Sequence, residues 1–87
     1  MKIQLNKNLI GLDGQEIEGS NMGKLLATIL SSSNKGDALK FWSWATKLHS
    51  GEELDLDPSD METLKNFVKE SEQLTILSKA QILQELV

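Results

Sequence analysis

The chain has 87 residues, of which 39% are hydrophobic and 25% are charged, and it contains no cysteine. This length and composition predict a single domain over residues 1–87 with one hydrophobic core, and they exclude a disulfide framework and a thiolate zinc site. Thirteen acidic residues oppose nine basic residues, all of them lysine, for a net charge of −4, which disfavours direct binding to nucleic acid or to an anionic membrane. No segment approaches the roughly 20 apolar residues that a membrane span needs, so we expect a cytoplasmic protein.

Residues 1–19 have the alternating polar and apolar pattern of short strands rather than the period of a helix. Asp13-Gly14 stands between two apolar segments and favours a two-residue type I′ turn, which predicts a β-hairpin. This turn would place Ile10 opposite Ile17 on one face. Because a lone hairpin is marginally stable, we expect that face to pack on the helices that follow.

Residues 20–87 form the predicted helical region, in which apolar residues recur at helical spacing. Three of its four helices begin after a capping residue, and the fourth begins at about Thr75. The capping residues are, in chain order, Ser20 or Asn21, then Asp37, then Asp57 followed by Pro58. The fold class predicted is therefore α+β, mainly helical, with an N-terminal β-hairpin packed on about four short helices.

The second predicted helix carries more apolar surface than one contact face requires. The spacing of Trp42 and Trp44 sends their side chains about 200° apart around the helix, so one hydrophobic layer does not readily cover both. We expect Phe41 and Trp44 in the core, and Trp42 with Leu39 at an exposed edge, where they would anchor a protein partner. In the alternative, both tryptophans are buried between the hairpin and the other helices.

The fourth predicted helix also has surplus apolar residues. Its predicted buried stripe consists of Ile76, Ala80, Leu83 and Val87. Ile82 lies well off this stripe and Leu86 widens it. Since surplus apolar surface near a terminus is typical of a subunit interface, Ile82 and Leu86 are candidates for homo-oligomer contacts through the C-terminal helix.

Six carboxylates are concentrated in residues 52–62. Counted as an EF-hand loop from Asp55, this segment has Asp60 at the sixth position, where the calcium loop needs glycine, so calcium binding is not indicated. We interpret Glu52, Glu53, Asp55 and Asp60 as a candidate acidic surface for a basic partner. The alternative is a solvated surface whose acids stabilise the start of the next helix.

No catalytic constellation is predicted. His49 and Ser50 are neighbours, but adjacent residues at a helix end diverge by about 100°, and adjacency does not assemble a triad. A histidine at a helix C-terminus is favoured by the exposed carbonyls there. The glycines match no phosphate-binding motif. We therefore expect a protein that is not an enzyme and that holds no cofactor and no metal.

Four segments give the chain a resemblance to a family. Residues 9–14, 22–26, 36–45 and 74–81 together resemble small bacteriophage and prophage proteins that have no assigned function. These segments contain a turn, helix caps and apolar stripes, which build a fold. The resemblance implies a phage or prophage origin and the cytoplasm of a bacterial or host cell, and it implies no site residues.

These observations predict a non-enzymatic protein–protein interaction or assembly module. Its partner would be a protein, with no membrane and no direct nucleic-acid contact. The alternative function is an acidic regulator that occupies a basic nucleic-acid-binding protein through the carboxylates of residues 52–60.

Overall fold

A computed structural model describes residues 1–86 of the chain. Four helices occur in these residues: α1 (Met22–Ser32), α2 (Ala38–His49), α3 (Pro58–Glu70) and α4 (Ile76–Glu85). The same residues contain four short strands: β1 (Lys2–Ile3), β2 (Asn8–Ile10), β3 (Glu16–Asn21) and β4 (Leu54–Asp55). The predicted fold class, α+β and mainly helical with an N-terminal hairpin, is confirmed. None of the helices in this range combines the length and the apolar character needed to cross a membrane.

All four helices begin after a side chain that caps the free N–H groups of the first turn. The capping residues are Asn21, Asp37, Asp57 and Thr75, each accepting a hydrogen bond from the main-chain N–H three residues later. The predicted helix starts are therefore confirmed, with Asn21 rather than Ser20 as the first cap. Because β3 continues to Asn21, the hairpin region extends two residues beyond its predicted end at residue 19.

The strands form two separate antiparallel pairs, β2 with β3 and β1 with β4. The second pair joins the start of the chain to the segment before α3, with Ile3 opposite Leu54. Leu54 and Leu56 are buried while the acids between and after them are exposed. The alternation of leucine and acid in this segment therefore marks an extended strand, which the sequence analysis did not predict.

The hairpin turn contains three residues instead of the predicted two. Gly14 donates its N–H to the Gly11 carbonyl at 3.0 Å and has a φ of 82°. This is a type I turn completed by a left-handed glycine, which adds one residue to the loop. The extra residue pairs Ile10 with Glu16 instead of Ile17.

The altered register changes which hairpin side chains face the helices. The register is also irregular between Asn8 and Ile10, since Asn8 pairs with Asn21. The expected packing of Ile10 against Ile17 on the helices is wrong. Ile10, Leu12 and Ile17 are exposed, whereas Leu9 is buried in the core. The side chain of Gln81 also holds the hairpin, because it accepts a hydrogen bond from the Ile10 N–H at 2.8 Å and donates one to the Ile10 carbonyl at 2.6 Å.

The core is one cluster of apolar side chains that draws on both regions of the chain. Its most deeply buried members are Leu5, Leu26, Leu48, Leu54, Leu56, Leu64, Val68, Ile82 and Leu86. Every helix contributes at least one residue to the cluster, and the N-terminal segment contributes Ile3, Leu5 and Leu9. The hairpin region and the helical region therefore share a core.

The face that α4 buries differs from the prediction. Ile82 and Leu86 are each 0% exposed, so they belong to the core, and their assignment to a subunit interface is wrong. Ile76, placed in the predicted stripe, is 87% exposed. Ala80 is exposed as well, Leu83 is half-buried, and Val87 lies outside the described residues.

The sequence of α4 does not by itself select a buried face, since apolar residues occur on most sides of this ten-residue helix. Packing sets its rotation. Leu74, just before the helix, is buried, and the Gln81 amide reaches the hairpin. These two contacts turn Ile82 and Leu86 inward.

Substitutions on α4 test this orientation. We expect Ile82→Ala to lower the free energy of unfolding by about 2–5 kcal/mol, because it opens a cavity in the core. Ile76→Ala removes the same atoms from an exposed position on the same helix and should change that free energy by less than about 0.5 kcal/mol. Urea denaturation followed by circular dichroism measures both, and equal losses would contradict the assigned face.

Candidate functional site

The helices α1 and α2 pack side by side in opposite directions. The segment 33–37 connects them, and the start of α1 meets the end of α2 at Gly23. A Cβ atom on Gly23 would lie 3.0 Å from the Leu48 carbonyl oxygen, a tight contact that a side chain here could make only if the neighbouring backbone shifted slightly. This contact brings the first turn of α1 against the last turn of α2.

The connection between α1 and α2 is held by Gly36. This glycine has a φ of 101°, a left-handed conformation that other residues adopt only with strain. A Cβ at this position would lie 2.5 Å from Cε2 of Phe41, whose ring is in the core. The bend at Gly36 and the first turn of α2 are therefore packed as one unit.

The apolar residues of α2 divide between the core and the surface. Phe41 and Trp44 are buried, with ring centroids 5.4 Å apart in a stacked arrangement, and Phe67 meets Phe41 edge-on at 5.3 Å. Trp42 is 62% exposed and Leu39 is 84% exposed. The expectation that Phe41 and Trp44 enter the core while Trp42 and Leu39 stay at the surface is confirmed, and the alternative with both tryptophans buried is wrong.

Two open depressions adjoin Trp42. The first, of about 330 Å³, lies between α1 and α2 and runs from Trp42 to His49 along one wall and past Thr28 along the other. The second, of about 420 Å³, lies beyond Trp42 toward Leu39 and the connecting segment that contains Lys35. We call this continuous surface the α1–α2 groove. It is long, apolar at the centre and hydroxyl-lined along its α1 wall, where Ser31 borders both depressions.

The charge of the α1–α2 groove is opposite in sign to that of the whole chain. Among residues 1–86, no acidic side chain lines either depression, although the chain has thirteen acids. Lys35 lines one depression and His49 the other. Lys24 stands one helical turn before Thr28 and so projects from the same side of α1. The groove therefore has basic groups at both ends.

The carboxylates of residues 52–62 have different roles from one another. Asp57 caps α3, and Asp60 binds Lys40 with 2.8 Å between Nζ and Oδ1. The hydrogen bond and charge of Asp60 raise the pKa of Lys40 above its ordinary value. Glu52, Glu53 and Asp55 stay exposed. Of the predicted acidic surface, Asp60 thus belongs to an ion pair within the fold, and Asp55 pairs with the Met1 nitrogen at 3.4 Å.

The Lys40–Asp60 pair and Trp42 lie on different sides of α2. Lys40 precedes Trp42 by two residues, so the two side chains leave the helix about 200° apart. The structure therefore does not join Asp60 and Trp42 into one surface. Within residues 1–86, no three histidine or carboxylate side chains are grouped closely enough to hold a metal ion.

A second apolar surface, which the sequence analysis missed, lies between the hairpin and α4. We call it the hairpin–α4 cleft; Ile10, Leu12, Ile76 and Leu77 line it. The ion pair between Lys7 and Glu85 borders it. The run of apolar residues before Asp13-Gly14 could have indicated this cleft. The predicted hairpin register placed that run against the helices instead.

The two surfaces differ in the residues that could contact a partner. The α1–α2 groove offers a tryptophan on a helix that is capped at both ends, whereas the hairpin–α4 cleft offers aliphatic side chains, one of them on a turn. Comparison of the chain with protein-family models, with curated proteins and with solved structures found no match. The α1–α2 groove is the stronger candidate site because tryptophan is one of the residues enriched among those that dominate binding energy, whereas leucine is under-represented there.

The Gly36 position can be tested against another glycine of positive φ. We expect Gly36→Ala to lower the free energy of unfolding by more than about 2 kcal/mol, since backbone strain adds to the clash with the Phe41 ring. Gly14→Ala introduces the strain alone, because nothing lies within 4 Å of its added Cβ, and should cost about 1 kcal/mol. Urea denaturation compares the two, and a smaller loss for Gly36→Ala would contradict this packing.

The two tryptophans should respond differently to truncation. Trp44→Ala is expected to cost about 3–5 kcal/mol of unfolding free energy, because a buried ring is replaced by a cavity. Trp42→Ala should cost about 1 kcal/mol, because only the smaller, buried part of its side chain is lost from packing. Thermal and urea unfolding of both variants measure this difference. A loss of more than about 2 kcal/mol for Trp42→Ala would place its ring among the groups that hold the fold together.

Proposed function

We propose that this protein is a non-enzymatic protein–protein interaction module that binds its partner through the α1–α2 groove. Trp42 and Leu39 are the apolar anchors of the contact. The observation that carries the proposal is the 62% exposure of Trp42 on a helix whose other tryptophan is buried. Large aromatic side chains held at a surface are the groups that most often dominate binding energy between proteins.

The energy available from Trp42 is enough for a useful anchor. A tryptophan side chain offers up to about 250 Å², so the exposed part amounts to roughly 150 Å². At about 25 cal/mol per Å² of apolar surface removed from water, burying it contributes up to about 4 kcal/mol. A contact of this kind supports an interaction that forms and separates readily rather than a permanent assembly.

The helix that carries Trp42 is held in place at both ends. Asp37 caps its first turn by accepting the Lys40 N–H. At the other end, Gly51 donates to the Leu48 carbonyl at 3.1 Å and Glu52 donates to the Lys47 carbonyl at 3.0 Å. A surface that is ordered before binding loses less conformational entropy on association, which favours affinity.

The cellular setting is part of the proposal. We place the protein in a phage or prophage, acting in the cytoplasm of a bacterial or host cell, on the basis of the resemblance carried by its turn, caps and apolar stripes. The partner would be a protein of that cell or of the phage. The assignment as a non-enzymatic module rests on the character of the groove, in which an apolar centre and hydroxyl groups suit adhesion to a protein surface.

Affinity purification with matched variants tests the proposed function. The tagged full chain, Trp42→Ala and Ile76→Ala are expressed in a bacterial cell and the co-purified proteins are quantified by mass spectrometry. Trp42→Ala should reduce recovery of a specific protein by more than about tenfold. Ile76→Ala, which truncates an even more exposed apolar residue outside the groove, should leave recovery unchanged.

Equal recovery with Trp42→Ala and with the unchanged chain would contradict the proposal. Recovery that is insensitive to Trp42→Ala, is abolished by replacing Glu52, Glu53 and Asp55 with lysine, and falls steeply with salt would instead support the acidic regulator of a basic nucleic-acid-binding protein.

A further inference from the structure

We propose that the occupant of the α1–α2 groove is a short amphipathic helix of the partner, with a large apolar residue at its centre and acidic residues at both ends. This inference rests on the proposed function of the groove and specifies the chemistry of the partner. Three properties of the groove support it: its shape, its charge and its apolar area.

The shape of the groove suits a helix. Its walls are two antiparallel helices, α1 of eleven residues and α2 of twelve. At 1.5 Å per residue each wall is about 16–18 Å long, which matches roughly three turns of a third helix. A helix laid between two packed helices inserts its ridge of side chains into the furrow between them. Trp42 is positioned near the middle of the furrow, between the two depressions.

The charge of the groove indicates which charge the bound helix should carry at its ends. Lys35 lines one end of the groove and His49 lines the other. Near the His49 end, Lys24 stands one helical turn before Thr28 on the α1 wall. The ion pairs among residues 1–86 use Lys7, Lys40 and the Met1 nitrogen, so neither Lys24 nor Lys35 has a carboxylate of this part of the chain within 4.0 Å. Acidic residues on a partner would therefore complement both ends of the groove.

The apolar area argues against a second copy of this chain as the occupant. Trp42 and Leu39 together expose roughly 300 Å², whereas an obligate homodimer interface is more hydrophobic and buries about 2,000 Å² or more in total. A two-fold dimer through this face would also set the same basic groups of both copies against each other. A short helix from another protein needs less area and brings the opposite charge.

Selection from a peptide library tests the inference. The probe is a displayed library of helical peptides about 16 residues long, with one face and both ends randomised. The full chain, Trp42→Ala and Ile76→Ala are the targets. Peptides enriched on the full chain should carry a large apolar residue at the centre and Asp or Glu at both ends. Their affinity should fall by more than about tenfold on Trp42→Ala and be unchanged on Ile76→Ala.

Charge reversal provides the second readout. On the variant Lys24→Glu with Lys35→Glu, the acidic peptides should lose affinity and the library should enrich basic ends instead. Circular dichroism of an enriched peptide should show an increase in helix on binding. An equal affinity for the charge-reversed variant would overturn the assignment of acidic ends.

The possible failures are distinguishable from one another. Enriched peptides that bind Trp42→Ala as well as the full chain would contradict both the proposed function and this inference. Enrichment of peptides with basic ends that still require Trp42 would overturn the acidic ends, and enriched peptides that gain no helix on binding would overturn the helix, while both results would leave the groove as the binding site. A concentration-dependent dimer of the full chain that Trp42→Ala abolishes would replace the helix with a second copy of the chain.

Discussion

The close contact between the start of α1 and the end of α2 is the constraint on which the rest of the molecule depends. Gly23 has no side chain, so the start of α1 lies close to the Leu48 carbonyl at the end of α2. Once that contact is made, α2 has one side facing the core, and residues two apart cannot both point inward. Trp44 fills the core and Trp42 is left in solvent. The candidate site is thus a consequence of how the core is closed.

The N-terminal strands complete the fold at the edges of the helices. The β1–β4 pair ties the first residues to the segment that leads into α3, and Gln81 satisfies both hydrogen-bonding groups of Ile10 on the free edge of β2. A covered strand edge does not recruit another strand. The hairpin therefore holds α4 in its observed orientation, and it leaves the α1–α2 groove open.

The features that were predicted correctly from the sequence are those that depend on local chemistry. Asp37 caps a helix and Trp42 diverges from Trp44 for reasons confined to a few neighbouring residues, and both predictions are confirmed. The hairpin register was predicted wrongly because Asp13-Gly14 fits a turn of two residues and also one of three residues. The buried face of α4 was predicted wrongly because its apolar residues do not favour one side of the helix until Leu74 and Gln81 are packed. The basic ends of the groove were beyond prediction, since they combine residues of two helices and a connection.

Fluorine NMR of the protein labelled with 5-fluorotryptophan shows most directly which tryptophan of α2 is buried and which is exposed to solvent. The account predicts two resonances, of which one is strongly broadened by a soluble gadolinium chelate and disappears in Trp42→Phe, while the other is protected and disappears in Trp44→Phe. Equal protection of both resonances would mean that both rings are enclosed, and equal broadening would mean that α2 does not hold Trp44 in the core. Either result would contradict the account of how this chain forms its binding surface.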